Sequence, residues 1–191
     1  MNKVRLSYSM ISAWERGDPQ GAVDVFSYEK FGIEKAGTRQ MEEGKKFHLE
    51  IAESIEKTNN LPKYMDFKAD FSIPEIEKLV TVPYNEICDI GCRYDCIDVP
   101  FLYDWKTGVT DSLEWTRTNQ LPIYFLIAEL NGMDEINGLL DSAYIVRYNQ
   151  YEKRTDYCKV HNSPKIRDKA RNVIDSVCYD IWNYLNGEGL L

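Results

Sequence analysis

The chain holds no apolar run long enough to cross a bilayer, which excludes a membrane-spanning helix. Its start, Met1-Asn2-Lys3-Val4-Arg5-Leu6, has two basic residues without a hydrophobic stretch behind them, so no secretory leader and a cytoplasmic location are expected. Positive charge is not in excess either. A net charge of -8 argues against a protein that coats nucleic acid over its whole surface. Cysteine is sparse and odd in number, at five. Cys88, Cys92 and Cys96 recur at an interval that would suit one helix face, but their surroundings read as strand and turn around Gly91. They are therefore expected to be small buried side chains rather than a thiolate metal site. No internal repeat, low-complexity linker or glycine-rich nucleotide cradle is present.

What is there describes a folded globular unit: 43% hydrophobic and 13% aromatic residues in 191, a length that suits one domain spanning 1–191. Basic residues concentrate late, with Arg147, Lys153, Arg154, Lys159, Lys165, Arg167, Lys169 and Arg171 set against Glu152, Asp156 and Asp168. That stretch is the candidate phosphate-facing surface.

Along the chain, Leu6 to Ser9 reads as extended, then helical with Ser9 or Ser12 as cap, and Gly17-Asp18-Pro19-Gln20-Gly21 reads as a break. Met41, Phe47, Ile51 and Ile55 predict a helix over about Gly37 to Thr58, and Gly44 and Ala52 leave room around His48. Pro74 to Leu79 reads as a short helix or, alternatively, as a strand running from Ile76 into Val82. Tyr84 to Asp89, Cys92 to Val99 and Phe101 to Lys106 read as three strands of an antiparallel meander. A helix over Leu121 to Leu130 follows with Pro122 in its first turn, then strands Ala143 to Tyr148 and Thr155 to Val160. An amphipathic helix over Pro164 to Leu185 completes the chain.

The strongest chemical signal is Asp95, eight residues, then Asp104-Trp105-Lys106-Thr107-Gly108. A hairpin bending near Asp98 to Pro100 sets the two aspartates side by side. Adjacent carboxylates repel unless a hard cation lies between them, and Mg2+ or Mn2+ fits such an oxygen-rich site. Strand alternation returns Lys106 to the face of Asp104, where an ammonium can orient an attacking water or offset charge on a phosphoryl group. His48 can add a nitrogen ligand if its helix packs on this hairpin. Glu77 is a further oxygen donor, with Glu50 and Glu86 as weaker alternatives.

Other elements fall in a recognisable order: Ser7-Tyr8-Ser9; Gly44 and His48; Gly91 and Asp95; Asp104-Trp105-Lys106-Thr107-Gly108; Gln120 and Tyr124. In this order and spacing the chain resembles the PD-(D/E)XK nuclease superfamily, and within it the RecB-type group. That group includes helicase-associated nuclease domains, CRISPR-associated Cas4-like nucleases and mitochondrial genome-maintenance exonucleases. The resemblance runs from Leu6 to about Leu130. It implies a restriction-endonuclease-like α/β core, a central mixed sheet flanked by helices. It also implies metal ligation by His48, Asp95, Asp104 and the Trp105 carbonyl, with Lys106 as the catalytic lysine and Glu77 as the further acid. Gln120 and Tyr124 are implied at the edge of the active site.

The implied activity is Mg2+- or Mn2+-dependent hydrolysis of DNA, most simply by an exonuclease that prefers single-stranded ends and is of phage or mobile-element type. A structure-selective endonuclease and a noncatalytic DNA-binding module are the alternatives. The iron–sulfur cysteines of some relatives are not matched: no cysteine follows the first helix, and only Cys158 and Cys178 lie late. No iron–sulfur cluster is therefore expected. No helicase motor fits in the chain, so unwinding would come from a helicase or a recombination or replication partner.

Overall fold

The computed structural model describes residues 2–33, 38–132 and 140–191. Its centre is a six-stranded mixed sheet. The strands are β1 (Val4–Ser7), β2 (Glu75–Pro83), β3 (Cys88–Asp98), β4 (Phe101–Thr107), β5 (Ser142–Asn149) and β6 (Arg154–His161). The helices are α1 (Tyr8–Glu15), α2 (Pro19–Phe31), α3 (Arg39–Thr58), α4 (Ser112–Trp115), α5 (Gln120–Leu130) and α6 (Pro164–Gly187).

Each face of the sheet is covered by apolar helix faces, the mixed α/β arrangement expected from the sequence. On one side α1, α2, α5 and α6 bury Met10, Ile11, Phe26, Phe125, Ile174 and Ile181 against Leu6, Ile90, Leu102 and Ile145. On the other, α3 lays Phe47, Ile51 and Ile55, one turn apart, on Cys96, Tyr103, Trp105 and Val146. Helix α5 is apolar all round and almost wholly buried, with Pro122 in its first turn as expected.

Several local expectations are corrected. Helix α1 is capped by Ser7, whose hydroxyl accepts from the Met10 N–H, and not by Ser9 or Ser12. The expected break separates α1 from α2 but is shorter than Gly17 to Gly21: Asp18 caps α2 and Pro19 opens it, a proline position that needs no N–H donor. Helix α3 starts at Arg39 behind the Thr38 cap, while Gly37 lies outside the described residues. The strand alternative holds over Glu75–Pro83. The three expected meander strands after it are only two, because Tyr84 to Ile87 is a turn and β3 runs unbroken through Gly91. Glycine is needed there for close approach: a Cβ on Gly91 would lie 3.0 Å from Thr81 Oγ1 and 3.1 Å from Arg5 Cδ.

Strand β3 organises the centre. Its ladder with β2 is antiparallel and runs from Glu75↔Ile97 to Pro83↔Asp89, which occupies one edge. The other edge is shared. It pairs in parallel with β1 through Val4↔Cys88 to Ser7↔Gly91, and antiparallel with β4 through Cys96↔Tyr103 to Asp98↔Phe101. Between Gly91 and Cys96 neither neighbour is bonded, so β1 and β4 diverge and the sheet forks beside Asp95. The parallel β4–β5 ladder, including Asp104↔Ile145 and Lys106↔Arg147, holds the far prong.

Candidate functional site

The fork gathers the chemistry-bearing residues. In β4, Leu102 faces the α5 side while Tyr103 and Trp105 enter the α3-side core. Alternation therefore turns Asp104 and Lys106 towards α5, as expected. Asp104 is 1% exposed, and its Oδ1 accepts a 2.8 Å hydrogen bond from Gln120 Nε2. The same amide nitrogen donates to the Tyr124 hydroxyl at 2.9 Å, and the Tyr94 hydroxyl donates to the Tyr124 carbonyl at 3.0 Å. Gln120 and Tyr124 thus anchor Asp104 from the first turn of α5. Lys106 Nζ lies 2.8 Å from Asp104 Oδ2, but in a direction that leaves this buried oxygen without a proper hydrogen bond.

Asp95 joins two groups of residues. Its Oδ2 accepts the Trp105 backbone N–H at 2.7 Å across the fork. Its Oδ1 lies 3.5 Å from His48 Nδ1, which is 3.9 Å from Glu77 Oε1. His48, Glu77 and Asp95 offer one ligand atom each within 4.8 Å of one another. His48 is brought here by α3, because Phe47 beside it is locked into the core and turns the imidazole to the flank between Gly44 and Ala52.

Glu77 arrives through an unusual backbone. It has φ 50, the left-handed region that a residue with a side chain adopts at a cost. The paired Ile76↔Cys96 and Lys78↔Tyr94 bracket it opposite Asp95. At this point both strands exchange faces. Ile76 and Cys96 pack on the α3 side, whereas Val80, Val82, Cys92 and Tyr94 pack on the other. The twist brings carboxylates from two strands under His48. Of the alternatives, Glu50 sits on the far flank of α3 beside Tyr64, and Glu86 lies in the turn before β3.

The local charges are mutually dependent. Burial alone would discharge His48, yet the hydrogen bond and charge of Asp95 outweigh it and hold the imidazole's pKa above its ordinary value. Burial also pushes Asp95 upward, but His48, Lys106 and the Trp105 N–H prevail and keep it below the usual carboxylate range. Glu77 is raised, by burial first and then by the negative charge of Asp95. Asp104 is pushed up by burial and by Asp95 against the pull of Lys106. Lys106 is pulled down by burial, but Asp104 and Asp95 more than restore it and leave it raised.

Glu77, Asp95 and Asp104 bring three carboxylates to one region, and the buried Asp104 Oδ2 lacks a directed partner among the described residues. A hard divalent cation suits this donor set on both counts. His48, Glu77 and Asp95 are the described side chains whose ligand atoms converge to hold it, while Asp104, expected beside Asp95 as a ligand, stands outside that cluster and pairs with Lys106. Trp105 takes part here through its backbone, with its indole buried in the α3-side core.

Trp115 was not anticipated. The Lys106 ammonium lies 4.8 Å from the centre of its ring, and the buried indole N–H has no hydrogen-bond partner among the described residues. It is carried by α4, a single turn inside a stretch that reads only as polar, so nothing in the sequence ties it to Lys106. The late basic stretch is also corrected. Arg147 is 4% exposed and ion-paired with Asp156, and Arg167 and Arg171 both pair with Glu129. Lys159 lies over the rings of Phe101 and Tyr144. Arg147, Arg167 and Arg171 are thereby engaged within the fold rather than offered to phosphate.

No protein-family model matches the sequence, and no curated protein matches it either. Solved structures do match. The alkaline exonuclease LHK-Exo from Laribacter hongkongensis, in its complex with dAMP, superposes with a TM-score of 0.59 at 10% identity. That match covers 97% of this chain and 93% of that one. A phage-related exonuclease from Haemophilus somnus 129PT gives a TM-score of 0.51 at 11% identity, covering 97% of this chain and 96% of that one. At such identities the likeness is one of fold alone: a central mixed sheet flanked by helices, the restriction-endonuclease-like architecture.

Proposed function

We propose that this chain, acting over 1–191 as one unit, is a Mg2+- or Mn2+-dependent deoxyribonuclease, and most simply an exonuclease. The reading rests above all on the meeting of Asp95, Asp104 and Lys106 at the fork, with His48 and Glu77 at its open side. The exonuclease names carried by the structures of similar fold favour an end-directed enzyme over an endonuclease or a noncatalytic module.

In this reading His48, Glu77, Asp95, Asp104 and the Trp105 carbonyl hold the metal. When bound, it supplies Lewis-acid polarisation of the phosphodiester and lowers the pKa of an attacking water. Lys106, anchored by Asp104, holds that water and offsets charge on the phosphoryl oxygens. Gln120 keeps Asp104 in one rotamer by bridging it to Tyr124, so both the carboxylate and the ammonium are positioned before substrate arrives. Burial of Lys106, whose side chain is 15% exposed, strengthens its field by excluding bulk water.

The test is a gel assay with Mg2+ or Mn2+ on end-labelled single-stranded, linear duplex and closed circular DNA, beside Lys106→Ala. Shortening from ends by the parent alone is the expected result. Opening of circles would make it an endonuclease, and cleavage undiminished in Lys106→Ala would remove this centre from the chemistry.

A further inference from the structure

Helix α3 has two flanks. One carries His48 to the fork. Along the other lies a groove of about 500 Å³ lined by Lys46, Phe47, Tyr64, Tyr148, Gln150 and Lys153, with Glu43 and Glu50. We propose that this groove binds single-stranded DNA one or two nucleotides from the reacting phosphate, with a base stacked on Tyr64, whose ring Tyr148 supports. The proposal rests on the deoxyribonuclease reading for the identity of the ligand.

The groove lies near the site, across α3 from His48. Tyr148 pairs with Thr107, the residue after Lys106, so its Cα lies roughly 6 Å from that of Lys106 by strand geometry. Rings connect the two places. Phe47 is 6.2 Å from the His48 ring and 6.2 Å from Tyr148, parallel to it within 11°, and Tyr148 is 4.7 Å from Tyr64 at 47°. A stretched single strand advances roughly 6–7 Å per nucleotide, about twice the duplex step. The tyrosine pair therefore stands one or two steps from the fork.

The lining fits an unstacked nucleotide. Tyr64 is 39% exposed and Tyr148, packed between Phe47 and Tyr64, backs it, which gives a base one supported aromatic face that duplex DNA, already stacked on itself, cannot use. Lys46 and Lys153 are exposed at the rim, and Lys153 is held at φ 51 in the turn between β5 and β6. Of the two acids, Glu43 is paired with Arg39 at 2.8 Å, while Glu50 lies beside the Tyr64 phenol, whose pKa its charge helps to raise after burial. The larger aromatic hollow at the start of β4 lacks these features. There Lys159 already covers Phe101 and Tyr144.

The experiment compares the parent with Tyr64→Ala, Tyr148→Leu and Lys46→Glu, each checked for fold by circular dichroism. Fluorescence anisotropy in EDTA measures binding of a labelled oligothymidylate and of a duplex of equal length. Hydrolysis is followed on the same oligomer and on thymidine 5′-(p-nitrophenyl phosphate), which is too short to span both places. Either tyrosine variant should bind the single strand roughly 5- to 100-fold more weakly. Both should hydrolyse the short ester like the parent, and Lys46→Glu should reduce the salt dependence of oligomer binding. Parental affinity in the folded tyrosine variants, or an equal loss on duplex, would overturn the assignment. If the parent hydrolyses neither substrate, the nuclease reading fails while the binding measurement still decides the groove.

Discussion

Arg147 provides the sharpest test of how this fold supports its site. Its Nε donates to Asp156 Oδ2 at 2.7 Å, with Nη2 on the same oxygen, while Nη1 reaches the carbonyls of Gly108 at 3.2 Å and Val109 at 2.9 Å. Asp156 Oδ1 in turn accepts the Ser112 N–H at the start of α4. One guanidinium thereby ties β5, β6, the turn after Lys106 and the helix that carries Trp115. Gly108 has φ 107, a conformation open to glycine, so this turn depends on both its residue type and its clamp.

Replacing Arg147 by Met keeps much of the volume and strands Asp156. Removing one partner of a buried ion pair costs about 3–5 kcal/mol. The Asp156 side chain is 16% exposed and can take up some water, which brings the expected loss to about 3 kcal/mol. Urea unfolding should show this as a lowered midpoint with an unchanged slope, and a double-mutant cycle with Asp156→Ala should return a coupling of about 1–3 kcal/mol.

The acid limb supplies a second readout. Burial alone would raise the Asp156 pKa, but the Arg147 and Ser112 hydrogen bonds outweigh it and hold it below the usual carboxylate range. Its stabilisation is therefore complete above the unfolded value of about 3.9 and is lost as pH falls through the depressed folded value. Asp156→Asn should flatten that limb. The turnover of Arg147→Met should fall more than its substrate affinity. Unchanged stability together with weaker, less salt-dependent DNA binding would refute this account and return Arg147 to a phosphate-contacting surface.

Other perturbations separate structure from chemistry. Asp98→Ala removes the acceptor for the Ser72 and Ile73 N–H groups, bonded at 2.6 and 2.8 Å. It should cost about 2–4 kcal/mol in thermal or urea unfolding and leave activity per folded molecule unchanged. His48→Ala and Glu77→Gln should each weaken Mn2+ binding in calorimetry by about tenfold or more. Parental affinity in either variant would remove that side chain from the metal site. Trp115→Leu should slow turnover roughly 5- to 30-fold by removing the ring face under the Lys106 ammonium. Trp115→Phe should recover most of the loss, and equal loss in both variants would point to the indole N–H instead.

Much of the architecture was legible because local patterns carry it. The four-residue recurrence of Phe47, Ile51 and Ile55 announces α3, and the alternation of Leu102, Asp104 and Lys106 against Tyr103 and Trp105 announces β4 and its two faces. Alternation carries no information where the backbone itself changes phase. Glu77 at φ 50 and the opposed Asp95 exchange the faces of β2 and β3, and a carboxylate at an exposed edge carries no local mark of such a twist. The late basic stretch misled for a related reason. Charge counted along the chain ignores that Arg147 points inward to Asp156 while Arg167 and Arg171 turn to Glu129.

The sequence by itself determined which chemical groups are available and their order: His48, Asp95, Asp104, Lys106, Gln120 and Tyr124, each on an element that short-range periodicity specifies. Only the tertiary structure decided their company. It split the acids into Asp104, held by Gln120 and Lys106, and Asp95, facing His48 and Glu77. It brought Trp115 over Lys106 and opened the sheet between β1 and β4. The physical reason is that strand divergence, helix docking and ion pairing are contacts between residues far apart in the chain. Their free energy depends on burial and geometry that no local window of sequence contains.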